Sequence, residues 1–302
     1  MSMTAFSTFT MFDAYEQLST RYDDGTAAVW YFMNSRPRPC FTPTLLKEIR
    51  HFQEAVVHGF ADFAAHGQPI EYLVLASDVP GVFNLGGDLD RFKALIEQRD
   101  RAALYRYAQA CIDVLYPNAV NLDLPITTIS LVQGSALGGG FEAALSSNVL
   151  IAERSAQLGL PEILFNLFPG MGAYSLLARR IGMVKAEALI TSGSLYTAEQ
   201  LHEMGVVDVL AEDGEGEQAV ADYIKRHRRA RNGLRAVQRA RQRYNPVTYQ
   251  ELMDITEIWV DAALCLENKD LRTMERLVRA QNRLSPANEG TEQVTSPNQC
   301  VA

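Results

Sequence analysis

Twice in this chain a run of β-forming residues passes directly into glycines and then into a helical pattern. That arrangement limits the available folds more than any other feature. The first case is Glu71–Ser77 (EYLVLAS), a loop through Pro80, Gly81, Gly86 and Gly87, and a helix over about Leu89–Gln98. The second is Ile126–Val132 (ITTISLV), the stretch Gly134–Gly140, and a helix over Phe141–Ser146. Strands that are apolar throughout, rather than alternating, belong to sheets buried on both faces. Such sheets need helices to cover them, and the rest of the chain supplies them. A strand at Ala27–Met33 precedes a Pro-rich break and a helix over Thr42–Ala65. A helix at Arg101–Leu115 and a strand at Asn148–Ile151 follow, then short helical starts at Pro161-Glu162 and Pro169–Gly172. Beyond about Asp213 the strand patterns stop, and helical patterns run to about Leu284. The expected fold is therefore α/β with a helical C-terminal part. The organisation read from it is a weakly patterned N-terminal extension over 1–25, a core over 26–213, a helical part over 214–284, and a disordered tail over 285–302.

Composition narrows the function classes. The net charge of −8 over 302 residues argues against nucleic acid as the partner. The five histidines are scattered, so no metal site is expected, and the four cysteines form no CxxC pair. No basic start with a long apolar run opens the sequence, and no apolar stretch is long enough to span a bilayer. The expectation is a cytoplasmic protein with no membrane partner.

The two glycine loops suggest chemistry as well as structure. Glycine lets backbone come close to a ligand, and the first N–H groups of a helix have no partner within it. Two such loops brought together would form an oxyanion hole, with donors near Gly86-Gly87 and near Gly139. The plain alternative is a pair of tight turns where helices pack on a sheet. Neither loop has the spacing of a dinucleotide or P-loop phosphate motif. Glu142 and Glu162 each lie just after a helix start, where a carboxylate ordinarily complements the macrodipole. Glu142, however, sits between Gly-Gly-Gly-Phe and Ala-Ala-Leu, an unusual setting for a merely solvated side chain. Burial would favour its protonation and the helix terminus its ionisation, a balance suited to proton transfer.

The segments Phe83–Asp88 (FNLGGD), Gln133–Glu142 (QGSALGGGFE), Leu160–Leu164 (LPEIL) and Phe168–Gly172 (FPGMG) occur in the order of the crotonase, or enoyl-CoA hydratase/isomerase, superfamily. This resemblance implies a crotonase-like spiral core of ββα units and an oxyanion hole for an acyl thioester. By motif, it places the donors on the N–H of Gly87 and Gly139, with Gly86 as the neighbouring option for the first. It places Glu142 and Glu162 on the two acid/base positions of the hydratases. It also implies no cofactor beyond the carrier of the substrate, and a homotrimer or dimer of trimers.

Val132–Ala144, Leu158–Tyr174, Ile255–Val260 and Leu271–Gln281 further resemble the diffusible signal factor synthases. That likeness implies dehydration of a 3-hydroxyacyl-acyl-carrier-protein to a cis-2-enoyl thioester, hydrolysis to the free acid, and a sensor kinase as regulatory partner. The competing readings are an ordinary enoyl-CoA hydratase or isomerase, or a crotonase scaffold serving only interaction. Phe165, Leu167, Met171, Trp259 and Leu277 are candidates for the acyl pocket, or simply for core packing. Lys225–Arg243 holds one lysine and eight arginines in an acidic chain. It could dock an acidic carrier protein or coenzyme A phosphates, or be a solvated helix face or subunit contact.

Overall fold

The fold is taken from a computed structural model, which describes residues 14–283. The tail assigned to 285–302 and the first half of the N-terminal extension lie outside the described residues. The extension is not featureless where it is described: Leu18–Asp23 forms strand β1, antiparallel to β2 (Ala28–Met33). It is an edge strand with mixed exposure, so its sequence carries no clean alternation. Helix α1 (Pro43–Ala65) follows, with Thr42 as N-cap accepting from the Leu45 N–H.

From there the chain repeats one unit. Strand β3 (Tyr72–Ser77) crosses to a three-residue strand, β4 (Val82–Asn84), and then to helix α2 (Leu89–Glu97). After α3 (Arg101–Ala119), strand β5 (Thr127–Val132) leads to β6 (Ser135–Leu137) and α4 (Gly139–Leu145). Strand β7 (Val149–Glu153) leads to β8 (Gln157–Gly159), a 3-10 helix over Pro161–Phe165, and α5 (Ala173–Ile181). Helix α6 (Met183–Ser192), strand β9 (Leu195–Thr197), α7 (Ala198–Glu203) and β10 (Val209–Ala211) complete the core. The long strands form a six-stranded sheet, β1-β2-β3-β5-β7-β10, parallel except for β1. The short ones form a second sheet, β4-β6-β8-β9. Three successive turns thus stack in register, which is the expected spiral of ββα units.

Side chains of the main sheet alternate between two cores. Val29, Tyr31, Leu73 and Leu75 join the larger cluster with α1 and α3. Trp30, Phe32, Val74 and Ile129 join a second one under α8 (Gly216–His227). Burial on both faces is why β2 and β3 read as apolar runs rather than as alternating patterns. After α8, a 3-10 turn leads into α9 (Arg231–Tyr244), then α10 (Tyr249–Leu264) and α11 (Asn268–Arg283). No helix among the described residues is long and apolar enough to cross a membrane.

The basic segment falls on α8 and α9. Its arginines meet the starts of the parallel strands: Arg231 pairs with Glu71, and Arg235 Nη2 donates to the Glu71 carbonyl at 3.3 Å. Gln238 joins Thr127 at 3.3 Å. Both glycine loops follow the opposite ends of β3 and β5. The segment therefore lies across the sheet from them, a placement that linear spacing could not show.

The turns of the spiral touch through backbone. A β-carbon on Gly140 would fall 2.0 Å from the Asn84 carbonyl oxygen, which belongs to the preceding turn. Gly140→Ala is expected to destabilise the protein by about 1–3 kcal/mol, because a main-chain neighbour cannot rotate away. Urea unfolding of the variant measures this, and unchanged stability would mean the turns are not in contact here.

Candidate active site

The two glycine loops meet. Gly86 adopts φ 90° and Gly138 φ 52° with ψ −124°, backbone conformations that glycine reaches without strain. A β-carbon on Gly86 would lie 3.0 Å from the Gly139 nitrogen, and one on Gly139 would lie 3.6 Å from the Gly87 nitrogen. Any side chain here would separate the loops. Gly139 is the first residue of α4, so its N–H has no partner within the helix. Gly86 belongs to the same hollow, but its N–H is taken by Asn84 Oδ1 at 2.8 Å and its carbonyl accepts from the Phe41 N–H at 2.8 Å. Of the two neighbouring options on the first loop, that leaves Gly87 as the one whose N–H is not tied in this way.

A residue that the sequence reading did not single out braces the first loop. Tyr107, buried on α3, donates its hydroxyl to the Phe41 carbonyl and accepts the Asp88 N–H at 3.0 Å. Phe92 packs between, its ring 5.1 Å from Tyr107 and 5.0 Å from Trp259, centroid to centroid. A β-carbon on Gly87 would strike that Phe92 ring at 2.5 Å.

Glu142 lies in the first turn of α4 and is 1% exposed. Its Oε1 accepts two backbone N–H groups, from Met171 at 2.8 Å and Ala173 at 2.9 Å. Glu162 opens the 3-10 helix after β8, and its Oε1 would sit 2.4 Å from a β-carbon on Gly138. Its Oε2 is shut off from solvent and has no hydrogen-bond partner among the described residues. Burial raises the pKa of both carboxyls, and the charge of Glu142 raises Glu162 further. The Met171 and Ala173 N–H groups oppose the shift at Glu142 only. With one proton between them, the Met171 and Ala173 N–H groups favour the charge on Glu142.

Both glutamates and Gly86, Gly87 and Gly139 line one cavity of about 50 Å³. Phe165, Leu167, Met171 and Trp259 line it too. Leu277 does not: it sits on α11, partly buried in the apolar cluster behind the cavity wall. Phe92, Ala108 and Cys111 also line the cavity and were not foreseen. The Cys111 thiol is buried beside Glu142, and burial pushes its pKa far above the ordinary thiol range. These residues come from α2 and α3, dozens of positions from either carboxylate, and nothing in their local pattern marks them. The site can thus hold an apolar group with a polarisable oxygen against two backbone N–H groups, flanked by one charged and one neutral carboxyl.

Residues 53–258 match the family described as enoyl-CoA hydratase/isomerase. The chain is 32% identical over 151 residues to the mitochondrial methylglutaconyl-CoA hydratase of Rattus norvegicus, covering 50% of this chain and 46% of that protein. It thus spans about half the length of the curated relatives it matches. Human mitochondrial delta3-delta2-enoyl-CoA isomerase shares the fold, with a TM-score of 0.72, 16% identity, and 89% and 99% of the two chains covered. An enoyl-CoA hydratase from Bacillus halodurans does so with a TM-score of 0.70, 19% identity, and 86% and 100% covered.

The raised carboxyl pKa values carry a cost in stability with a definite sign. A carboxyl whose folded pKa exceeds its unfolded value binds more protons when folded, so stability falls as pH rises between the two. Glu162→Gln removes that dependence while keeping the shape. Its melting temperature relative to the parent is expected to be higher at pH 8 than at pH 5. Thermal melts at both pH values check this, and an offset that does not change with pH would show that Glu162 is not raised.

Proposed function

The chain belongs to the enoyl-CoA hydratase/isomerase family, and from that premise we propose that it interconverts 3-hydroxyacyl and 2-enoyl thioesters. The observation that carries this reading is the pair of coupled carboxyls facing one cavity beside two backbone donors. The thioester carbonyl is held by the N–H groups of Gly87 and Gly139. Loss of one such donor costs roughly 100- to 1,000-fold in rate. Glu162, against Gly138, lies next to those donors and faces the α-carbon. Glu142, further into α4, faces the β-carbon.

In hydration, charged Glu142 takes a proton from water as its oxygen adds to the β-carbon, and Glu162 gives its proton to the α-carbon. Dehydration runs through the other arrangement of the shared proton. Glu162, ionised, removes the α-proton, and protonated Glu142 delivers its proton to the departing hydroxyl. In both directions negative charge builds on the thioester oxygen, where the backbone donors stand. The pair must hold one proton, neither none nor two.

The finer part of the proposal is signal synthesis. In this reading a medium-chain 3-hydroxyacyl thioester on a carrier protein is dehydrated to the cis-2-enoyl thioester. Water then attacks the same carbonyl, the C–S bond breaks, and the free acid and the carrier thiol leave. The support is the sequence resemblance to the diffusible signal factor synthases, together with a hole able to hold a tetrahedral oxyanion as well as an enolate. A cytoplasmic location, an assembly of trimers and a sensor-kinase partner belong to the same reading.

Purified protein incubated with 3-hydroxydodecanoyl-carrier protein is expected to release free cis-2-enoic acid, detected by mass spectrometry. Glu142→Ala and Glu162→Ala are each expected to release none. An untouched carrier substrate alongside hydration of trans-2-enoyl-CoA would make the protein an ordinary hydratase. Turnover against pH is expected to be bell-shaped, with both limbs above pH 4.5, the ordinary glutamate value. Below the bell both carboxyls are protonated and no base remains; above it both are charged and no acid remains.

A further inference from the structure

Helix α11 has two opposed faces. Leu271, Met274 and Val278 are buried, while Lys269, Arg272, Arg276 and Arg279 are exposed. Steps of three, four and three residues place these four cations in one stripe along the helix. The two acidic residues of the helix have other partners, although Glu275 also feels the charge of Arg272 and Arg279. Asp270 is buried, bonded to Asn166 and to the Glu267 N–H, and Glu275 pairs with Lys93 of α2 at 2.7 Å. Among the described residues, Arg272, Arg276 and Arg279 form no ion pair. Lys269 pairs with the exposed Glu267 at 3.0 Å, but three arginines without an ion pair on one helix face are a local excess of positive charge in a chain of net charge −8.

Its location distinguishes it from the arginines of α8 and α9. Those lie at the starts of the parallel strands, across the sheet from the glycine loops. Helix α11 packs on α2 and on the 3-10 helix Pro161–Phe165, which form two walls of the cavity. Its apolar face completes the cluster behind Phe165 and Trp259.

We infer that the exposed stripe of α11 docks the acidic protein that carries the acyl thioester. This rests on the thioester chemistry proposed above and adds the partner that delivers it. The form of the surface favours a protein over free coenzyme A. From Lys269 to Arg279 the cations extend along about 15 Å of helix, a length suited to an acidic helix rather than to the few phosphates of one nucleotide. Long-range attraction to such a stripe acts on encounter and fades with salt.

The test compares the parent with the triple variant Arg272→Glu, Arg276→Glu, Arg279→Glu, using one acyl group on three carriers: an acidic acyl-carrier protein, coenzyme A and N-acetylcysteamine. With the carrier protein, kcat/KM is expected to fall about tenfold or more at low salt with kcat retained, and the loss to shrink as salt rises. The N-acetylcysteamine rate is expected to stay unchanged, which also reports an intact fold. An unchanged carrier-protein rate would overturn the inference. So would an equal loss with coenzyme A, because the stripe would then be reading coenzyme phosphates. If the parent turns over none of the three thioesters, the proposed function fails instead. Fluorescence anisotropy of labelled acyl-carrier protein then still decides the docking surface, since the parent should bind it and the variant should not.

Discussion

Everything at the site hangs on backbone meeting backbone between successive turns of the spiral. Gly140 lies against the Asn84 carbonyl, and Gly86 lies against Gly139. No side chain could be inserted at these contacts without parting the loops, so main-chain contact sets how closely the two N–H groups approach. Rotamers cannot relax it and surface substitutions cannot reach it. Donors held this way are in place before any ligand arrives, as the proposed oxyanion hole requires. The Tyr107 hydroxyl and Asn84 Oδ1 add to this, since each holds a backbone N–H of the first loop in place.

Glu142 combines two demands that usually conflict. It is an almost completely buried carboxylate, which destabilises its charge, and it is also the acceptor that ties Met171 and Ala173 to α4. The two N–H donors offset part of the burial cost, and in doing so they break the symmetry of the pair. Without them, Glu142 would bear the full burial penalty on its charge. In the proposed chemistry, the Met171 and Ala173 N–H groups would thus favour Glu142 as the charged member of the pair.

The parts of this design that were legible in the sequence are those where local pattern and tertiary role coincide. Strand β3 is buried on both faces and reads as an apolar run, whereas β5, equally buried, carries Thr127, Thr128 and Ser130 among its apolar residues. Gly86, Gly87 and Gly139 sit where a strand must turn sharply into a helix. Glu142 stands out because a charge among glycines and alanines has no surface explanation. What was not legible depends on other parts of the chain. Strands of three residues, such as β4, β6 and β8, are too short to show a period. Strand β1 is an edge whose exposure is mixed. Tyr107 and Cys111 lie on a helix with an ordinary sequence, and only the spiral brings that helix to the site. The arginines of α8 and α9 show the limit of charge reading: a basic run announces its sign, but its address is set by the fold.

The stacked turns also have a consequence for how the protein comes into being. One N–H donor, the other donor and the groups that fix Glu142 come from three different turns, centred near residues 87, 139 and 171. No single turn, and no pair of turns, contains a finished site. Contacts between such distant segments close late, because the loop entropy must be overcome before they form. Partly folded chains therefore hold two glutamates that are still hydrated and ordinary. Their altered acidity, and with it any catalysis, emerges only when the last turn seats on the others.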